Sequence, residues 1–344
     1  MIRRCEFFGN TGGSGGGIQV LGAGMPVVED CVLHENTAVG VGGAIASEDG
    51  ASTVVRRCRI WGNAAGDGGG ICLSFAGGRI EDCEIVDNTA AFGGGLDLLS
   101  SDGATIARLE IRSNEAAFVG GGVYANASRA TLEDCLVEGN HTTGDGGAAW
   151  LFESDLAFDR CAFRDNAADG TAGGLYVRDA FAQLWDGELE GNGLAVFVEG
   201  IPQLPVDARY NWWGDASGPY HPLLNPGGLG DAVGDHVDFT PWNGASHAPQ
   251  ADGAAGLRLR APGVFRGSLP VVLMLPARAR VELALFDAQG RCLARLLEGE
   301  AGPGAVALRW DGRERGGAPV RSGVCYLRFS TDGVEQTRRI VCVR

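Results

Sequence analysis

Apolar residues recur along this chain in short alternating bursts, and the bursts return in register with a period of roughly 26 residues. One apolar column is Val28, Val55, Ile80, Ile106, Leu132, Phe158 and Leu184, whose members keep that spacing to within one position. A second column follows pairs or triplets of glycine: Ile18, Ile71, Leu96, Val123 and Leu175. A third sits inside the pattern Cys-x-apolar-x-x-Asn, which runs from Cys5 to Asn10, Cys31 to Asn36, Cys58 to Asn63, Cys83 to Asn88, Cys135 to Asn140 and Cys161 to Asn166. Leu109 to Asn114 and Gly187 to Asn192 fill the two remaining registers, so the asparagines keep the same step from Asn10 to Asn192 without a gap.

Such regularity marks stacked units that share one core. Each unit holds three alternating segments separated by Gly- or Asn-bearing bends, too short and too glycine-rich for helices. The pattern predicts a parallel β-helix with three strands per coil and about eight coils, each strand pairing with its copy roughly 4.8 Å away. The position before each Cys register tests this independently of hydrophobicity. It reads Arg4, Asp30, Arg57, Asp82, Arg108, Asp134, Arg160, Asp186, a strict alternation of sign that is favourable only if residues one coil apart are neighbours. Each exposed pair is worth only about 0–1 kcal/mol, but the ladder specifies register.

The Cys-x-apolar-x-x-Asn units followed by Gly-Gly and an apolar residue resemble those of secreted bacterial right-handed β-helix proteins of the pectate-lyase-like group, and of polymorphic outer-membrane proteins. The resemblance covers residues 1–242. Its end is Tyr210-Asn211-Trp212-Trp213-Gly214-Asp215, Ser217-Gly218-Pro219, Asn225-Pro226-Gly227-Gly228 and Phe239-Thr240-Pro241-Trp242, similar to the capping segment that closes many such helices and placed here at 210–242. The resemblance implies a right-handed stack and an exported, surface-displayed protein.

Residues 243–256 have the small, polar composition of a linker. Beyond it alternation returns at Val281–Phe286, with further strands expected near 305–310, 324–330 and 338–343, which suggests a β-sandwich over 257–344. Phe265-Arg266-Gly267-Ser268, Leu275-Pro276, Asp287 with Gly290-Arg291, Trp310-Asp311-Gly312, Ser322-Gly323-Val324 and Thr337 to Val341 are similar to the Ig-like domain of flagellar hook-cap proteins and to the sorting domain of the type IX secretion system. That resemblance implies a secretion or anchoring module that engages the secretion machinery.

Composition narrows the function. The 344 residues include 57 glycines but only 13 prolines, without a collagen period, so tight turns account for the glycine. A net charge of -15 argues against a nucleic-acid partner, which needs clustered basic residues. There is no lysine, which removes Schiff-base and lysine general-base chemistry. No apolar run is long enough to span a membrane. Met1 falls inside a repeat and no signal-peptide pattern follows it, so earlier coils and an export signal are expected upstream.

The six column cysteines point inward and are expected to be free thiols, because parallel Cβ vectors in a ladder suit the bridging dihedral poorly. The asparagines Asn36, Asn63, Asn88, Asn114, Asn140 and Asn166 are expected to form a buried amide ladder, and Arg57, Asp82, Arg108 and Asp134 an ionic one. Tyr124, Trp150 and Tyr176 fall one repeat apart in an outward column, with Asp97 one coil earlier. Stacked on the surface, they are the candidate glycan-binding face; the structural alternative is that they pack only on one another. Asp67 and Asp145, each before a glycine run, are weak candidates for Ca²⁺. The five histidines show no ligand spacing, and no metal site, other cofactor or catalytic set is expected. The sequence therefore favours a non-enzymatic β-helix scaffold for adhesion or glycan binding. A polysaccharide lyase or glycoside hydrolase is the alternative, and a cleft holding two carboxylates about 5–9.5 Å apart would mark it.

Overall fold

A computed structural model describes residues 1–200, 205–244 and most of 258–343. The chain divides into two compact units, Met1–Ala248 and Pro249–Arg344, and no helix occurs among the described residues. Most of the expected linker, from residue 245 onward, lies outside the described residues.

The first unit is a parallel β-solenoid. Its first ladder stacks ten strands from Ile2–Arg3 to Val237–Asp238, its second eight strands from Glu6–Phe8 to Glu188–Glu190, and its third ten strands that include Ile18–Leu21 and Leu194–Glu199. Register follows the repeat: Val28 pairs with Val55, Val55 with Ile80, Ile80 with Ile106, Ile106 with Leu132 and Leu132 with Phe158. These side chains are 0–1% exposed, as are Leu33, Ile60 and Ile85 of the second ladder and Ile45, Ile71 and Leu96 of the third. One continuous core fills the stack.

Three strands per coil were expected, and the structure adds a fourth, shorter ladder between the second and third, formed by Thr89–Phe92, Glu115–Val119, His141–Thr142 and Ala167–Ala168. It lies just after each Asn, where the sequence reads as a bend. The segment 210–242 does more than cover an end: Pro219–Tyr220 and Gly230–Val233 extend the third ladder, Val237–Asp238 extends the first, and Trp213 is fully buried beneath them.

The corners of the coil explain two sequence columns. Every member of the alternating charged column, from Arg4 to Asp186, has a left-handed backbone with φ between 47° and 54°. The residue before each Asn is left-handed too, whether Gly62, Ser113 or Asp87. At the bend every Asn from Asn36 to Asn192 is buried and its amide closes the corner. Asn88 Nδ2 donates to the Ile60 carbonyl at 3.1 Å and to Asn114 Oδ1 at 3.0 Å. Seven such amide-to-amide bonds of 2.9–3.0 Å run unbroken from Asn10 to Asn192.

The charged column resolves into pairs. Arg57 bonds Asp30 at 2.7 Å, Arg108 grips Asp82 at 2.5 and 2.9 Å, and Arg160 grips Asp134 at 2.6 and 2.8 Å. The guanidinium beside each carboxyl holds Asp30 and Asp82 below the usual carboxylate range. No disulfide joins the cysteines among the described residues. From Cys31 to Cys161 the column cysteines are small buried groups whose thiols donate to the carbonyl two residues back, as Cys83 does to Glu81 at 3.1 Å.

The second unit holds a three-stranded sheet, Arg258–Arg260, Leu269–Leu275 and Gly304–Trp310, and a five-stranded sheet that includes Ala279–Asp287, Cys292–Ala301, Gly323–Thr331 and Val334–Val343. Pairing is antiparallel except between Val264–Arg266 and Val334–Val343. Leu269, Val271 and Leu273 of one sheet share a core with Leu283, Leu285, Leu327 and Phe329 of the other, which makes a β-sandwich.

Candidate functional site

The outward column of the third ladder carries the chemistry that the two long polar ladders do not absorb. Coil by coil it reads Ala46, Cys72, Asp97, Tyr124, Trp150, Tyr176 and Phe197, each paired in register with the next. Pairing across the ladder therefore brings Tyr124, Trp150 and Tyr176 together as expected.

Their rings stack. Tyr124 and Trp150 have centroids 5.4 Å apart with planes 8° from parallel; Trp150 and Tyr176 are at 6.2 Å and 12°. Ring faces thus point along the stack and are turned on one another, while ring edges point outward. Tyr124 and Trp150 are half-buried, but Tyr176 is only 8% exposed. Burial, reinforced by Glu199, pushes the Tyr176 hydroxyl up to about 12.

Asp97 corrects the sequence reading. Expected on an open face, it is 1% exposed, and its column mates Cys72 and Ala46 are fully buried. The reason is the loop that follows each Asn: the turn at Gly68 lies so close that a Cβ there would meet Cys72 Cβ at 2.9 Å and Asp97 Cβ at 3.0 Å. Asp97 Oδ2 receives the Cys72 thiol at 3.5 Å, whereas Oδ1 is buried without a hydrogen-bond partner among the described residues. Burial pushes the Asp97 carboxyl well above its usual range, and neighbouring Asp67 pushes it further. Burial likewise raises Cys72 far from a reactive thiolate, with Asp97 adding to the effect.

Asp67 and Asp145, the Ca²⁺ candidates, share one column in which Asp67 bridges to Phe92, Phe92 pairs with Val119, and Val119 bridges to Asp145. Three rungs separate them, roughly 14 Å, so they cannot hold the same ion. Asp145 Oδ1 is already occupied by the Thr171 N–H at 2.6 Å. Among the described residues no group of three or more His, Cys, Asp or Glu side chains is placed to hold a metal.

The sequence reading missed the flanks of the strip. Phe92 lies 5.4 Å from Tyr124 and 5.3 Å from Phe118, and Phe118 is 58% exposed. Phe152 contacts Trp150 at 5.8 Å and receives the Arg178 guanidinium over its ring at 5.6 Å. Phe92 and Phe118 stand one repeat apart in the chain, so the period itself would have flagged them. The same holds for a second stack, Phe8–His34–Trp61, on the outer side of the second ladder, with ring centroids 5.4 and 4.4 Å apart.

No curated protein matches the chain. Residues 44–195, which contain the whole Asp97-to-Tyr176 column, match the family model described as the right handed beta helix region.

Proposed function

We propose that this chain is an exported, surface-displayed β-helix scaffold that binds glycan through the outer face of its third ladder, with residues 257–344 serving secretion or anchoring. The observation that carries this reading is the aromatic strip Phe92, Phe118, Tyr124, Trp150 and Phe152, half-buried or exposed on consecutive coils. Elsewhere on the solenoid the charged columns are engaged with themselves, as in the Arg108–Asp82 and Arg160–Asp134 pairs. The strip also carries hydrogen-bonding groups beside its rings: the Tyr124 hydroxyl with Asn126 Nδ2 at 3.2 Å, and Arg178 over Phe152. Apolar ring edges interleaved with a few polar groups suit the mixed surface of a sugar.

The hydrolase alternative needs, besides its second carboxylate, a protonated carboxyl that a substrate can reach. Asp97 has the environment to stay protonated, but at 1% exposure it is shut away from any substrate.

The test is glycan-array binding by the full chain, the Phe118→Ala variant and the Trp150→Ala variant. Phe118→Ala leaves the ring stack in place and is expected to lose binding while melting like the parent. Retained binding by both variants would retire the strip as the binding face. Hydrolysis or elimination products from a bound polysaccharide would replace the reading with an enzymatic one.

A further inference from the structure

Among the described residues of the solenoid, Asp97 is the most deeply buried acidic group, and it has no cationic partner. Its strand, Leu96–Leu99, is packed between Ile71–Ser74 on one side and Val123–Asn126 on the other, with the Asp67–Gly68 turn laid over it. The titratable groups facing Asp97 from these elements are Cys72, Tyr124 and Asp67, and Glu48 of the coil before also acts on Cys72. None of these four is basic. A carboxylate buried without a cation or a full set of donors carries a heavy desolvation cost. A neutral carboxyl avoids that cost, and no set of three or more metal-ligating side chains among the described residues offers a cation instead.

The turn above Asp97 is tied to both neighbouring coils. Gly42 N–H donates to the Asp67 carbonyl at 2.8 Å, Gly68 N–H to Phe92 at 2.9 Å, and Gly69 N–H to Gly93 at 3.2 Å. Asp67 itself is half-buried, and burial raises its carboxyl. Ionising Asp97 places an uncompensated negative charge under a lid whose own Asp67 can only repel it when ionised, and the available relief is to lift the turn and admit water.

We propose that Asp97 is a buried proton site, and that the bound proton holds the Asp67–Gly68 turn closed at the foot of the aromatic strip. The device is independent of what the strip binds. It predicts a stability that falls as pH rises. A carboxyl whose proton is held more tightly in the folded state contributes stability that is complete below the ordinary carboxylate range and is lost as pH climbs through its folded value, at up to about tenfold in the folding constant per pH unit.

The experiment compares the full chain with Asp97→Asn, a neutral isostere, by urea unfolding and by amide hydrogen exchange across residues 64–70 between about pH 5 and pH 9. In the parent, protection in this turn is expected to fall with pH beyond the intrinsic exchange rate, by about tenfold or more over the range. Asp97→Asn is expected to remove that dependence and to be at least as stable as the parent at the alkaline end. An unchanged pH slope in Asp97→Asn overturns the proposal. Should that variant not fold, the infrared carboxyl band of the parent decides: a protonated, solvent-shielded carboxyl at neutral pH supports the proton site, and its absence sinks it. Stabilisation of the parent by added Ca²⁺ or Zn²⁺ that Asp97→Asn abolishes would make the site a metal site and overturn the proposal as well.

Discussion

Asn192 gives both its backbone N–H and its side-chain Nδ2 to one carboxylate oxygen of Asp231, at 2.8 and 3.0 Å. Gly191 N–H meets the other oxygen at 3.2 Å. Asp231 thus takes the place that the next asparagine would hold, and it closes the amide ladder with a group that only accepts. Burial raises its carboxyl, with the Asn192 bonds opposing that rise. Because the folded value is raised, the stabilising effect of the proton is lost as pH rises through it. Asp231→Asn keeps an acceptor without the charge, so it is expected to match the parent in acid and to equal or exceed it at neutral pH. Asp231→Ala strands three N–H groups and is expected to cost about 2–3 kcal/mol in urea unfolding.

Within the ladder, Asn114→Ala removes the acceptor for two Asn88 bonds and the donor to the Ile85 carbonyl. All of these groups are buried, and a loss of about 2–4 kcal/mol is expected. A melt unchanged from the parent would mean that water replaces the amide at no cost.

Two glycines separate steric from conformational need. A Cβ on Gly94 would sit 2.5 Å from the carbonyl oxygens of Glu115 and Gly121, which are backbone and cannot swing aside. Gly103 has φ of +78° and open space around it. Gly94→Ala is expected to cost about 3 kcal/mol or to prevent folding, and Gly103→Ala only about 1–2 kcal/mol. Equal effects in thermal unfolding would contradict this division.

Thiol accessibility gives a further check. Cys5 is exposed and Cys292 partly so, while the other eight cysteines are buried. A thiol reagent is expected to label these two in the native protein and all ten after denaturation without reductant. Fewer than ten after denaturation would reveal a disulfide.

Much of this could be read from the chain because a stack repeats its own constraints. Any residue one period from its copy becomes its vertical neighbour, which puts Asn114 over Asn140, Arg108 beside Asp82, and Tyr124 on Trp150. The period gives the rung and the column but not what lies over the column. Asp97 was misplaced for that reason: the turn that buries it belongs to another part of the coil. A hint was present in Ala46 and Cys72, since small apolar residues at outward positions suit a covered stretch. The fourth ladder escaped because its strands vary from two residues in His141–Thr142 to five in Glu115–Val119 and their inward positions, such as Ala116 and Thr142, form no large apolar column.

Among the described residues, each coil of the solenoid is bonded to the coil on either side through parallel ladders. Tension drawn along such a chain falls on one outermost rung at a time, and each rung that yields frees about 26 residues, roughly 90 Å of extended length. The molecule would lengthen in even steps under load, spending mechanical work coil by coil while the remaining stack keeps its shape.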